Sequence, residues 1–155
     1  MPRGSGKFIP ESVLAIDPGL RSGWASWAEG GMFGAGVMSP EEVYELLEEW
    51  CRSWSRRGVL VVEKFTITAQ TGKLSPQPEP LELCGVAKFL AWKYDVPFAL
   101  QTPADAKRFC PDTRLRALGW YTRGQGGEDH GRDATRHLVL ALAKRRLITI
   151  PTGSA

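Results

Sequence analysis

Cysteine is scarce in this chain, and the few that occur are placed so that they exclude two common roles. The three among 155 residues are Cys51, Cys84 and Cys110, with no CxxC pair and no histidine close to any of them. An odd number without metal-ligand spacing argues against a disulfide framework or a zinc site and favours free thiols in a reducing compartment. No apolar run is long enough to span a membrane, and the N-terminus has no signal-peptide pattern, so we expect a cytoplasmic protein with no membrane partner.

The chain also lacks a strong excess of charge of either sign. Twenty basic and 17 acidic residues give a net charge of +3, which permits a nucleic-acid partner without requiring one. Apolar residues make up 43% and charged residues 24%, as in an ordinary folded domain. The length suits one domain, which we place at residues 13–150, after a flexible leader at 1–12 and before a tail at 151–155.

Two apolar segments each end in a carboxylate. Residues 13–16 are followed by Asp17 and a Pro-Gly turn, and residues 59–62 are followed by Glu63. Short continuous apolar runs of this kind predict buried central strands. A carboxylate at the end of such a strand must pair, bind a cation or face a cleft, because an isolated buried charge is costly. Two strands that end this way are a stronger indication of a site than either one alone.

The remaining segments predict an α/β fold. A glycine turn at 29–31 joins two further strands within residues 23–37, and Ser39-Pro40-Glu41-Glu42 is a strong helix start. Helical spacing over 81–95, a short strand at 96–100, a helix capped by Thr102 and a last helix after the glycine-rich 124–127 complete the order. This order predicts a mixed sheet, antiparallel at first and parallel later.

An acidic and histidine-containing group opens the last helix. At about 100° per residue, Asp133 falls between Asp129 and His130 on one narrow arc, so all three side chains would project the same way. The simpler alternative is the charged face of an amphipathic helix. His137, one turn beyond Asp133, is interpreted as a supporting or packing residue.

Together with Asp17 and Glu63, this group suggests a metal site. Carboxylates from two strands and a helix suit hard cations such as Mg²⁺, which prefer oxygen ligands. Two such ions, about 4 Å apart, activate an attacking water and stabilise the leaving oxygen of a phosphodiester. The residues therefore favour metal-assisted hydrolysis of a nucleic acid.

Two other segments have the composition of nucleic-acid contacts. The segment 107–123 looks irregular and places five basic residues around Trp120 and Tyr121, which suits contact with a nucleic-acid backbone. Its alternative is a solvated face with both aromatic rings in the core. The polar segment 65–79, directly after Glu63, is either a functional loop or a disordered connector.

Three motifs resemble, in order and spacing, those of RuvC-type Holliday junction resolvases of the ribonuclease H superfamily. They are the segment from Ile16 to Trp24, Val62-Glu63, and His130-Gly-Arg-Asp133-Ala134, and the resemblance extends over about residues 13–147. It implies a ribonuclease H-like fold, with a five-stranded mixed sheet and helices on both faces. It also implies a Mg²⁺-dependent, structure-selective endonuclease, with two ions per active site and Mn²⁺ able to substitute, that resolves Holliday junctions and related branched DNA by symmetric phosphodiester hydrolysis. A homodimer that uses the helix at 81–95 is implied as well.

The resemblance assigns a role to each candidate residue. Asp17 would bridge two metal ions, Glu63 would hold one, and Asp133 matches the last acid of the family. His130 occupies a position that is aspartate in some members and histidine in others, so it either binds metal or positions the attacking water. Asp129 is predicted to add a further carboxylate. The predicted DNA contacts are a junction wedge, Phe65, and the basic residues Lys64, Lys73, Lys107, Arg108, Arg114, Arg116 and Arg132.

Two other functions remain open from the sequence. A YqgF-like nuclease would cut RNA and ignore a four-way DNA junction. A non-catalytic module that binds branched DNA would keep the fold without cutting. Acids at all three motif positions argue against the second, because a dead site has no need for clustered negative charge beside DNA.

Overall fold

The structure, a computed structural model, describes residues 7–66, 78–124 and 129–151. The strands there are β1 (Ser12–Asp17), β2 (Ser22–Ala28), β3 (Met32–Met38), β4 (Gly58–Glu63) and β5 (Phe98–Gln101). The helices are α1 (Pro40–Ser53), α2 (Glu79–Lys93), α3 (Pro103–Phe109), α4 (Asp112–Leu118) and α5 (His130–Lys144). Over these ranges, no helix is both long and apolar enough to cross a membrane. The division at residues 12 and 150 stays a prediction.

The five strands form one mixed sheet with β1 at its centre. The order is β3-β2-β1-β4-β5, with β1 antiparallel to β2 and parallel to β4, and β5 parallel to β4. The register pairs Ile16 with Val62, so Asp17 and Glu63 follow side by side at the same edge of the sheet. The predicted five-stranded mixed sheet is confirmed.

Helices cover both faces of the sheet, as predicted. Leu14, Ile16, Leu60 and Val62 pack with α1 and α2 on one face. The alternate residues of the same strands, such as Val13 and Val61, pack against α5 on the other face. Strands buried on both sides have no polar alternation, which is why the two segments form continuous apolar runs.

The start of α1 is also as predicted. Ser39 Oγ accepts a hydrogen bond from the backbone N–H of Glu42 at 3.3 Å, and the Glu42 side chain reaches back to complete a capping box. Trp50 of this helix is buried in the core. The cap and the apolar stripe fix where the helix begins and which side faces the sheet.

The segment 107–123 is not irregular, and that expectation was wrong. It contains the end of α3 and the whole of α4, which ends at Gly119 with φ of +75°. The sequence did not reveal α4 because seven residues give too few apolar positions to establish a period. Leu115 is its only fully buried residue, and the partly buried Leu118 packs against the same small cluster with Cys110 and Val139.

Candidate metal and catalytic site

The structure brings Asp17, His130 and Asp133 together at the carboxyl end of β1. Asp17 is 5% exposed, and His130 Nδ1 lies 3.2 Å from Asp17 Oδ2. The potential ligand atoms of the three residues all lie within 4.8 Å of one another. Asp17 lies on the central strand, and His130 and Asp133 lie in the first turn of α5. Both β1 and α5 are packed in the core.

Two glycines allow α5 to begin so close to the sheet. A Cβ on Gly23 would overlap the backbone carbonyl of His130, and a Cβ on Gly131 would lie 3.0 Å from the carbonyl oxygen of Gly36. Only residues without side chains permit this approach. The sequence placed Gly23 at the start of a strand and within the first motif, but gave no indication that it would lie against the start of α5.

Burial and like charge act together on Asp17. Desolvation by burial, followed by the negative charge of Glu63, raises the pKa of Asp17 from 3.8 to about 7, although the hydrogen bond with His130 opposes the change. Asp133 adds a further, smaller repulsion. A site that crowds carboxylates in this way is stabilised by a bound cation.

Glu63 is held by a buried histidine. His137 Nε2 lies 2.7 Å from Glu63 Oε2, and its Nδ1 lies 3.0 Å from Gln101 Oε1. The His137 side chain is only 1% exposed. The histidine thus fixes one carboxylate oxygen of Glu63. The sequence placed His137 near the site as a supporting residue, but gave no indication that Gln101 was its second partner.

Asp133 is held by a buried arginine that sequence reasoning missed. Arg136 Nε lies 3.4 Å from Asp133 Oδ1, and Arg136 Nη1 donates to the backbone carbonyl of Cys110 at 2.6 Å. Arg136 also forms an ion pair with Asp112. These contacts connect the first turns of α5 to the loop between α3 and α4. In the sequence, the only local indication of this role is that Arg136 lies three residues after Asp133, on the same side of the helix.

Asp129 does not share the direction of His130 and Asp133. It precedes the helix with φ of −100° and ψ of 15°, so the ideal helical angle does not apply to it. Its carboxylate lies 2.6 Å from Arg132 Nη2, and Asp129 is outside the group of ligand atoms. The expected common arc of three side chains is therefore corrected to two.

Several predicted DNA-contacting cations are engaged within the protein. Arg114 donates to the backbone carbonyl of Phe109, while Arg116 lies over the Tyr121 ring at 3.7 Å. Arg132 donates to the Tyr121 hydroxyl at 2.8 Å. Trp120 and Tyr121 pack against the core, as the alternative interpretation of this segment expected, and contact with DNA stays a prediction.

The other predicted DNA contacts are more dispersed. Lys107 and Arg108 are exposed on α3, Lys64 is exposed after β4, and Phe65 is half-buried beside it. Lys73 lies outside the described residues, as does most of the predicted loop. Trp120 stacks on Phe33 with ring centroids 4.8 Å apart, which is a core contact rather than a DNA-binding one.

The residues fit a hard divalent cation. Asp17 and Asp133 supply carboxylate oxygens within one group, and Glu63 follows on the neighbouring strand but lies outside that group. Burial and then the charge of Glu63 raise the pKa of Asp17. Oxygen ligands of this kind suit Mg²⁺ and Mn²⁺. His130 contributes a nitrogen within the same group, in contact with Asp17.

The fold is that of RuvC. The Thermus thermophilus RuvC structure is similar to this chain with a TM-score of 0.61 and 19% identity, covering 87% of this chain and 96% of that one. T. thermophilus RuvC in complex with a Holliday junction substrate gives a TM-score of 0.63 and 17% identity, covering 90% and 98%. No protein-family model matches the chain, and no curated protein is significantly similar to it in sequence. The similarity therefore establishes the fold that the motifs implied.

Proposed function

We propose that this protein is a divalent-metal-dependent endonuclease that resolves Holliday junctions and related branched DNA. The observation that carries the proposal is the group formed by Asp17, His130 and Asp133 at the end of the central strand, with Glu63 on the neighbouring strand. This group lies in a fold shared with a protein whose structure contains a Holliday junction substrate.

Asp17, Glu63 and Asp133 would hold the metal, in the two-ion arrangement expected for Mg²⁺. Bound there, Mg²⁺ or Mn²⁺ supplies activation of water and stabilisation of the leaving oxygen. When Asp17 is ionised, His130 Nδ1–H donates to its Oδ2 and leaves a lone pair on Nε2. That nitrogen is suited to accept the proton of an attacking water, because a neutral imidazole with a free ring nitrogen can act as a general base.

The supporting contacts keep these groups in place before substrate arrives. His137 fixes Glu63, and Arg136 fixes Asp133, and both supporting side chains are buried. Groups held by packed neighbours lose little freedom when the reaction begins. We assign His137 and Arg136 as positioning residues rather than catalytic ones.

We also propose that the protein works as a homodimer through the outer face of α2. This helix is apolar on several sides, and Phe89 and Trp92 are 54% and 78% exposed, with ring centroids 6.1 Å apart. Large exposed aromatic side chains on one helix indicate an interaction surface. A two-fold dimer would match the symmetry of a four-way junction and produce paired nicks.

The test is cleavage of end-labelled four-way junction, fork, duplex and hairpin RNA, each with Mg²⁺ and with EDTA. We expect paired symmetric nicks in the junction that are lost with EDTA and in Asp17→Asn, but retained in Glu45→Gln, whose exposed carboxylate lies on α1. Cleavage confined to RNA would contradict the assigned substrate. Junction binding without any cut would contradict catalysis.

A further inference from the structure

A carboxylate outside the catalytic group lies between two arginines of α5. Asp112, the first residue of α4, forms an ion pair with Arg136, and its Oδ1 lies 3.8 Å from Arg132 Nε. The rest of α4 fixes its position, because Leu115, one turn later, is fully buried in a cluster with Val139 of α5. Asp112 is therefore a fixed partner for side chains of α5.

Arg132 has other partners that are closer than Asp112. Its Nη2 lies 2.6 Å from Asp129 Oδ2, and its Nη1 donates to the Tyr121 hydroxyl at 2.8 Å. These two contacts hold the Arg132 guanidinium whether or not Asp112 is present. Arg136 is thus the arginine whose orientation depends on Asp112.

The guanidinium of Arg136 divides its three nitrogens among three acceptors. Nη1 donates to the backbone carbonyl of Cys110 at 2.6 Å, Nη2 donates to Asp112 Oδ1, and Nε lies 3.4 Å from Asp133 Oδ1. Nε and Nη2 are an adjacent pair of donors, with which an arginine can bind both oxygens of one carboxylate. Here that pair is split between two carboxylates, so Asp133 receives a single long contact from Nε.

The split bears on the metal site because Asp133 is a proposed ligand. If both donors closed on Asp133, the guanidinium would bind both carboxylate oxygens and compete with a cation for them. The Arg136 side chain is only 11% exposed, so water does little to weaken that competition. The hydrogen bond from Arg136 holds the pKa of Asp112 below its usual value, so Asp112 is ionised at neutral pH and retains Nη2.

We propose that Asp112 is a positioning residue that keeps Arg136 from closing on Asp133, so that Asp133 can bind a divalent cation. The inference rests on the proposed function, because it takes Asp133 to be a metal ligand. Asp112 itself contacts none of the catalytic group and acts only through Arg136. Loss of a residue that orients a metal ligand typically changes metal affinity by about 10–100-fold.

The first test is calorimetric titration of Mn²⁺ into the protein without DNA. Asp112→Ala releases Nη2 and should weaken Mn²⁺ binding about tenfold. Asp112→Asn keeps an oxygen that accepts from Nη2, so its affinity should stay within about twofold of wild type. The control Asp105→Ala removes an exposed acid of α3 and should match wild type. Undiminished binding by Asp112→Ala would overturn the proposal, as would an equal loss in Asp112→Asn or in the control.

The second test asks whether the effect passes through Arg136. A lysine ammonium is a compact charge that cannot bind both oxygens of a carboxylate as a guanidinium does. In an Arg136→Lys background, Asp112→Ala should therefore weaken Mn²⁺ binding by less than about twofold. The same tenfold loss in both backgrounds would overturn the assigned route. Lower stability of both Asp112 variants to urea in EDTA, with unchanged Mn²⁺ affinity, would show a merely structural role and would also overturn it.

Junction cleavage with Mg²⁺ is scored separately. A wild-type protein that cuts no branched DNA refutes the proposed function, while a tenfold difference in Mn²⁺ affinity between wild type and Asp112→Ala still supports the role of Asp112. Normal cutting together with equal Mn²⁺ affinities refutes only the role of Asp112. A wild-type protein that binds no Mn²⁺ refutes both.

Discussion

Replacing Asp17 by asparagine should stabilise the metal-free protein while it abolishes cleavage. Burial, followed by the charge of Glu63, raises the pKa of Asp17 from 3.8 to about 7. The folded protein therefore holds this proton more tightly than the unfolded chain does, so the free energy of unfolding falls as the pH rises from about 4 to about 7. At neutral pH the ionised carboxylate destabilises the fold, and asparagine removes that charge.

The size of the effect follows from the change in pKa. A pKa change of one unit corresponds to about 1.4 kcal/mol of folding free energy. The rise from 3.8 to about 7 therefore lowers the free energy of unfolding by about 4 kcal/mol at pH 7.5. At pH 4 the carboxyl of Asp17 is protonated in the folded state and only about half ionised in the unfolded chain, so the difference falls below about 1 kcal/mol. Asp17→Asn should therefore increase the free energy of unfolding strongly at pH 7.5 and only slightly at pH 4.

Urea unfolding in EDTA at both pH values measures this gain. Glu45→Gln serves as the control, because an exposed acid on α1 should change the free energy of unfolding by no more than about 0.5 kcal/mol. Equal m-values would show that the variants unfold from equally compact states. Lower or unchanged stability of Asp17→Asn at pH 7.5 would refute the reasoning, as would a gain of the same size at pH 4.

Three further substitutions test separate parts of the site. Gly23→Ala should destabilise the protein by about 1–3 kcal/mol and lower the cleavage rate, because the new Cβ would displace the His130 backbone. Urea unfolding and junction cleavage measure these two effects, and wild-type values in both would contradict the prediction. His137→Phe should lower the free energy of unfolding by about 1–3 kcal/mol, because Glu63 loses its buried partner, and should weaken Mg²⁺ binding measured by calorimetry. Undiminished metal affinity would show that His137 only fills space. Trp92→Ala should shift the protein from dimer to monomer in sedimentation, with little loss of monomer stability since this side chain is largely exposed; an unchanged mass would place any dimer interface elsewhere.

The sheet and its acids could be predicted from the sequence because their signals are local. A run of apolar residues that ends in Asp17 or Glu63 indicates a buried strand and a carboxylate at its end, whatever surrounds it. The pair His130 and Asp133 lies three residues apart, so helical geometry alone places both on one side of a helix. These features required no knowledge of distant contacts.

Partners that are far apart in the chain could not be predicted in the same way. Glu63 and His137 are 74 residues apart, and Arg136 reaches Cys110 across 26 residues, so only the packing of α5 on the sheet decides these pairs. The exposure of individual side chains could not be predicted locally either. The α2 helix has apolar residues on nearly all sides, and which of them contact the core depends on where β4 and α1 lie.

The sequence alone indicates which residues carry the functional groups of a candidate site, whereas the tertiary structure determines which of them are in contact. Strand and helix periods depend on neighbours within a few residues, so they are written into the chain directly. Burial, charge crowding and the close approach at Gly23 arise only when separate elements pack, because they depend on distances between atoms that are remote in sequence. Packing therefore joined Asp17 to His130 and Asp133, directed Asp129 towards Arg132, and placed Asp112 against Arg136.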